Sequence, residues 1–191
     1  MLRDFKSLLI VALIASLPAF GQEPDKDKNL DVHSSAGDLH IGGDADARKA
    51  GLPLYPGARP KVDDDNNGKV NLGLLTEAFG IKLVVAKYQS DDAPAKVIDY
   101  YRDKLSKYGK VLECHSRKEH FGTEHHDDED DKNSKSSKEL KCEGDNDGPV
   151  IELKVGTEDN QHVVSIEPAE KGKGSTFALV YVYTRGKRGE I

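Results

Sequence analysis

The chain has no tryptophan, only two cysteines in 191 residues, and no long apolar run beyond its first twenty positions. Each shortage removes a class of function. Without tryptophan, and with aromatics at 6%, a stacking platform for nucleic-acid bases is not expected. With 34 acidic against 28 basic side chains and a net charge of -6, there is no electrostatic reason to bind nucleic acid or an anionic lipid surface. No G-x-S-x-G, no H-E-x-x-H and no cysteine in a catalytic context occurs. Nor is there an internal repeat of about 20 to 50 residues, which excludes solenoids and propellers.

What is present begins with MLRDFKSLLIVALIASLPAFGQEP: Arg3 and Lys6, an apolar run from Leu8 to Phe20, and small residues at Ala19 and Gly21. This pattern predicts a secretory signal peptide over residues 1–21. As a helix the run covers about 20 Å, short of the ~30 Å hydrocarbon core, so no stable membrane span is expected after cleavage. No cysteine lies nearby to carry a lipid. Loss of Arg3, Lys6 and Asp4 moves the net charge from -6 to -7. About 170 residues remain, enough for one domain with generous loops. An even pair of cysteines in an oxidising compartment predicts a Cys114–Cys142 disulfide, whereas two buried thiols would be the alternative.

Residues 22–51 form a polar N-terminal segment, expected to be partly disordered, with at most one weak hairpin around Ala36-Gly37. Next comes LPLYPGARP, an arm that Pro53, Pro56 and Pro60 keep out of a helix; Leu52, Leu54 and Tyr55 are expected to tuck it onto the core. Phe79 to Tyr88 alternates as a central strand. The stretch QSDDAPAKVIDYYRDKLSKYGK predicts a helix over Asp92 to Tyr108. Asp91 or Asp92 would cap it, Pro94 sits in the first turn, and Gly109 closes it. Lys110 to His115 and Glu139 to Glu143 are expected side by side as strands with their cysteines facing. VIELKV, HVVSIEP and TFALVYVYT follow as further strands, linked by short turns that favour antiparallel pairing. The expected fold is α+β: an antiparallel sheet of five or more strands with one principal amphipathic helix on one face. It would occupy 52–191 as a single domain, with a disordered acidic and His-rich insertion at about 116–138.

Three segments invite a ligand. The insertion, taken with His115 just before it, carries His120, His125 and His126 ahead of five consecutive carboxylates from Asp127 to Asp131. Such groups bind divalent ions, but the segment has little except Phe121 to dock it, and its composition is that of a solvated loop. His120, His125, His126, Asp127 and Asp128 are therefore the metal ligands of an alternative reading; the leading one has no cofactor. VDDDNNGKVNL places Asp63, Asp65, Asn67 and Gly68 as in an EF-hand loop, yet Leu74 stands where the bidentate Glu belongs. KGKGST, Lys171 to Thr176, lacks the helix a phosphate loop requires and predicts a hairpin turn. Tyr100, Tyr101 and Tyr108, with Tyr55, Tyr88, Tyr181 and Tyr183, suit a pocket or partner surface; the plainer reading is packing between helix and sheet. His162 is expected to be structural.

Together, Tyr55 to Ala58, the helix start at Asp92 and Pro94, the paired Tyr100 and Tyr101, and the closing strands resemble a group of exported bacterial proteins of unknown function. The resemblance covers about Leu52 to Arg185. It implies a shared fold and export, and brings no activity, cofactor or catalytic residue. The acidic stretches at 63–67 and 115–138 lie outside it. The expectation is an exported, periplasmic or secreted, non-catalytic domain. Its unknown protein partner or small ligand would be met on the tyrosine surface of Tyr55, Tyr88, Tyr100, Tyr101 and Tyr108 or at a sheet edge. The alternative is an exported protein that binds or buffers metal.

Overall fold

The computed structural model describes residues 29–61, 69–117, 139–142, 144, 146–169 and 172–186. Within them, one antiparallel sheet of nine strands carries a single α-helix. The strands are β1 (Leu30–Ser34), β2 (Gly37–Gly42), β3 (Arg59–Pro60), β4 (Lys69–Leu75), β5 (Gly80–Ser90), β6 (Leu112–Ser116), β7 (Val150–Thr157), β8 (Asn160–Pro168) and β9 (Ser175–Arg185). Their order is β1-β2-β4-β5-β9-β8-β7-β6, with β3 pairing the end of β5 through Arg59↔Gln89 and Pro60↔Tyr88. Every neighbouring pair is antiparallel, as the sequence predicts; short links join β1 to β2, β4 to β5, β7 to β8 and β8 to β9, while β2–β4, β5–β9 and β6–β7 meet across long separations in the chain.

The helix α1 (Pro94–Ser106) lies across β7, β8 and β9. Val97, Ile98, Tyr101 and Leu105 recur at three- and four-residue steps and are buried. They meet Leu153, Val155, Val164, Ile166, Phe177 and Leu179 of the sheet, each contributing about 1.5 to 3 kcal/mol by leaving water. Neither Asp91 nor Asp92 caps the helix. Ala93 holds the N-cap position without a side-chain bond, because Asp91 is drawn to Arg59 and Asp92 to Lys96 and Tyr55. Gly109 follows the last turn at φ 143°, where a β-carbon would be strained.

Residues 29–51, expected ahead of the domain, are part of it. The hairpin around Ala36-Gly37 forms as β1 and β2, and β2 pairs β4. Ala45, Ala47 and Ala50 then enter the main core with Leu52 and Tyr55, while Leu54 faces solvent. Small side chains let this loop lie flat on the aromatic cluster.

Cys114 and Cys142 are joined as a disulfide. The strand pairing expected around it is not formed. β6 pairs with β7, placing Cys114 opposite Glu152, and the 139–142 segment contributes only an isolated bridge from Glu139 to Thr157. VIELKV alternates and could satisfy β6 on one side and β8 on the other, so the segment bearing Cys142 was left to the sulfur bond. On the face away from the helix, Glu152 and Lys154 are 3% and 9% exposed and form an ion pair at 3.1 Å, with Ser116 Oγ donating to the same carboxylate.

Candidate functional site

The five tyrosines expected as a surface are mostly interior. Tyr55, Tyr88 and Tyr101 are buried around Phe177. Tyr101 Oη accepts the Tyr55 amide at 3.1 Å and donates to the Pro53 carbonyl at 3.2 Å. Tyr88 Oη accepts the Ala47 amide at 2.9 Å, and Tyr55 Oη donates to Asp92 at 2.9 Å. Tyr100 and Tyr108 donate to the Leu54 and Gly51 carbonyls. These hydroxyls tie the 44–58 arm to the helix and sheet; of the five, Tyr108 is exposed and Tyr100 half-buried. The arm's prolines remove sheet partners for its backbone, and the tyrosines supply them. His162 stacks between Tyr108 and Tyr181 at 4.2 and 4.9 Å, its Nδ1 against the Ala50 carbonyl at 3.0 Å. Burial holds its pKa below the ordinary value.

The open site lies on the same face of the sheet, beyond the reach of α1. Antiparallel register sets two rows of side chains across the strands. One row runs Asp31, His40, Gly73, Lys82, Tyr183; the next runs His33, Asp38, Leu75, Gly80, Arg185. Each row has a glycine near its middle. With strands about 4.8 Å apart, the side chains flanking Gly73 stand about 10 Å from each other, and a trench opens between them. It has a volume of about 500 Å³, with Asp31, His33, Asp38 and His40 on one wall, Lys82 and Tyr183 on the other, and Gly73, Gly80 and Leu75 between them. Only Tyr183 of the tyrosines singled out in the sequence borders it.

The histidine wall is held by a chain of polar contacts. His40 Nδ1 is 2.6 Å from Asp31 Oδ1, and since a carboxylate only accepts, the imidazole donates there. Nε2 lies 2.9 Å from Asn71 Nδ2 and 3.4 Å from Asp44 Oδ1, and the same amide donates to Asp44 Oδ1 at 2.9 Å. Asp44 also pairs with Lys49. His33 and Asp38 make the second cross-strand contact at 2.9 Å. The Asp31 hydrogen bond raises the His40 pKa against the opposing effect of burial. Lys49, then Asn71, hold the Asp44 carboxyl far below the usual carboxylate range.

The trench has Asn71 at His40 Nε2. It offers two carboxylates and two imidazoles on one side, an ammonium and a phenol on the other, and an apolar bed between. Among the described residues no group of three or more His, Cys, Asp or Glu is arranged to hold a metal ion. His120, His125, His126, Asp127 and Asp128 lie outside the described residues, as do Asp63, Asp65, Asn67 and Gly68. Of the KGKGST stretch, residues 172–174 lie in the turn between β8 and β9, where Gly172 donates to the Ala169 carbonyl at 2.8 Å, and Ser175 and Thr176 begin β9.

The sequence does carry a signal for this site. D-V-H at 31–33 and D-L-H at 38–40 repeat on either side of Ser-Ser-Ala-Gly, with Leu30, Leu39 and Ile41 alternating against them. That is a hairpin with matched acid and imidazole on one face. A comparison with protein families, with curated proteins and with solved structures finds no match to this chain.

Proposed function

We propose that the protein is an exported binding domain that takes a small dipolar ligand in the glycine-floored trench. The carrying observation is the asymmetry of the trench: Asp31 and Asp38, on β1 and β2, stand on the wall opposite Lys82 of β5, two to three strand spacings or about 10 to 15 Å away across the glycine floor. A ligand with a cationic end and an anionic end, such as a short peptide or an amino acid with a basic side chain, meets opposite charge at both walls. Export is supported by the leader-like first 21 residues and by the disulfide. No helix among the described residues is long and apolar enough to cross a membrane.

Gly73 supplies the test. A β-carbon added there meets only His40 Cβ, at 3.7 Å, so Gly73→Leu fills the trench without moving the backbone. Calorimetric titration of the purified protein with basic dipeptides is expected to give binding that Gly73→Leu weakens at least about tenfold while the thermal midpoint holds or rises. Absence of binding across the zwitterionic panel, or binding indifferent to Gly73→Leu, overturns the reading.

A further inference from the structure

The strand β1 ends the sheet, and all five of its residues are exposed. We propose that β1 is a self-association edge, pairing antiparallel with β1 of a second copy about a two-fold axis through Val32. The inference stands apart from the trench reading and rests on the strand's own order of charge.

Leu-Asp-Val-His-Ser is complementary to itself when reversed. Centred on Val32, it sets Asp31 opposite His33 of the second copy and His33 opposite Asp31, all on the trench face. Leu30 and Val32 then extend an apolar face that Leu39 and Ile41 begin. The chain already uses this pairing internally, with Asp31 against His40 at 2.6 Å and His33 against Asp38 at 2.9 Å. Slipping the register by two residues would oppose Asp31 to Asp31 or His33 to His33, and slipping by one would turn the apolar face to the wrong side. Charge therefore selects one register and a second copy as the occupant.

The backbone permits it. The turn Ser35-Ala36 closes on the rung Ser34↔Gly37. Hydrogen-bonded rungs alternate from there, so the peptide groups of Asp31 and His33 point away from β2, free to exchange four hydrogen bonds across the axis. The side chains have capacity too: His40 takes Oδ1 of Asp31 and leaves Oδ2, while Asp38 takes Nδ1 of His33 and leaves Nε2.

An imidazole that donates from both nitrogens is an imidazolium. His33 would then face Asp38 from β2 and Asp31 of the second copy, with its own strand's Asp31 two residues away and His40, which holds Asp31 Oδ1, diagonally across on β2. Association takes up as many as two protons per dimer. It strengthens as pH falls through the ordinary histidine range, by up to about a hundredfold per pH unit above that range. Five-residue pairing buries less than a standard interface, so a dissociation constant of micromolar or weaker is expected.

Sedimentation equilibrium of the purified protein from about 10 µM to about 1 mM covers that affinity. Run between about pH 5.5 and 8.5, it is expected to show a dimer favoured at the acid end. His33→Asp and Asp31→His should each weaken self-association at least tenfold, and an equimolar mixture should recover it, because the carboxylates of the first variant meet the imidazoles of the second. A monomer under every condition, a dimer indifferent to both substitutions, or folded variants that fail to recombine overturns the proposal. Should either variant unfold, His33→Asn decides: it must flatten the pH dependence, and a dimer with unchanged pH dependence overturns the proposal.

Discussion

At one end of the sheet, β6 has its edge closed by several devices. The disulfide ties Cys114 to the 139–142 segment, Asn146 accepts the His115 amide at 2.6 Å, and Arg117 pairs with Asp147. The helix lies over the adjoining strands and bonds back to β6 through Arg102 and Glu113 at 2.5 Å. At the other end, among the described residues, no helix lies over β1 and β2, no sulfur bond ties them, and Leu30, Val32 and Ile41 are exposed. Natural sheets protect edges because an open one pairs with whatever strand arrives. One end of this sheet is therefore built for permanence; the other is held mainly by a ladder of Asp and His and keeps its backbone available. Local stability should follow the same gradient.

The largest effect that would sharpen this contrast is a cavity under the helix. Phe177→Ala removes the ring that Tyr55, Tyr88 and Tyr101 surround and is expected to cost about 3 to 5 kcal/mol in urea unfolding. Val32→Ala in β1 should cost less than about 0.5 kcal/mol. Comparable losses from the two would mean that both ends are equally part of the cooperative core. Next, replacing Cys114 and Cys142 by alanine frees a span of 28 residues, worth about 3 to 4 kcal/mol by chain entropy; an unchanged denaturation midpoint would show that β6 is held without its staple. Smaller again, Tyr101→Phe leaves the Tyr55 amide and the Pro53 carbonyl without their shared hydroxyl, an expected loss of about 1 to 3 kcal/mol, read by calorimetry.

The smallest effect belongs to the open end. The pKa of His40 is raised in the folded chain, chiefly by Asp31. Its contribution is complete below the ordinary value of 6.5 and is lost as pH rises through the folded value. Amide exchange in the hairpin, corrected for intrinsic rates, should therefore be more protected in mildly acidic than in alkaline buffer, with His40→Gln removing the difference and the β8–β9 amides unaffected. Equal protection at both pH values in the unsubstituted chain would detach His40 from the stability of the edge.

Much of the permanent end was legible residue by residue. The three- and four-residue apolar steps of α1, the two-faced apolar run from Phe177 to Val182, and the paired cysteines each carry their own local reason. The open end was not. Residues 29–51 look polar because β1 and β2 bury little, and Ala45, Ala47 and Ala50 reach the core through their small size, without any periodicity. The tyrosines misled in the opposite sense: their composition suits a binding surface, but the proline arm needed their hydroxyls. The trench depends on Gly73 and Gly80 falling beside histidine, lysine and tyrosine, which is a matter of register between distant strands.

From the order of residues alone came the elements that local physics dictates: an amphipathic helix entered at a proline, alternating strands joined by tight turns, and a cysteine pair suited to oxidation. Tertiary structure alone decided what each face does. Hydrogen-bonded register placed two glycines between opposed charges, passed β6 to β7 instead of to the segment bearing Cys142, and left β1 at the rim. Alternation assigns a side chain to one face of a strand, but only the neighbouring strand determines what stands opposite it.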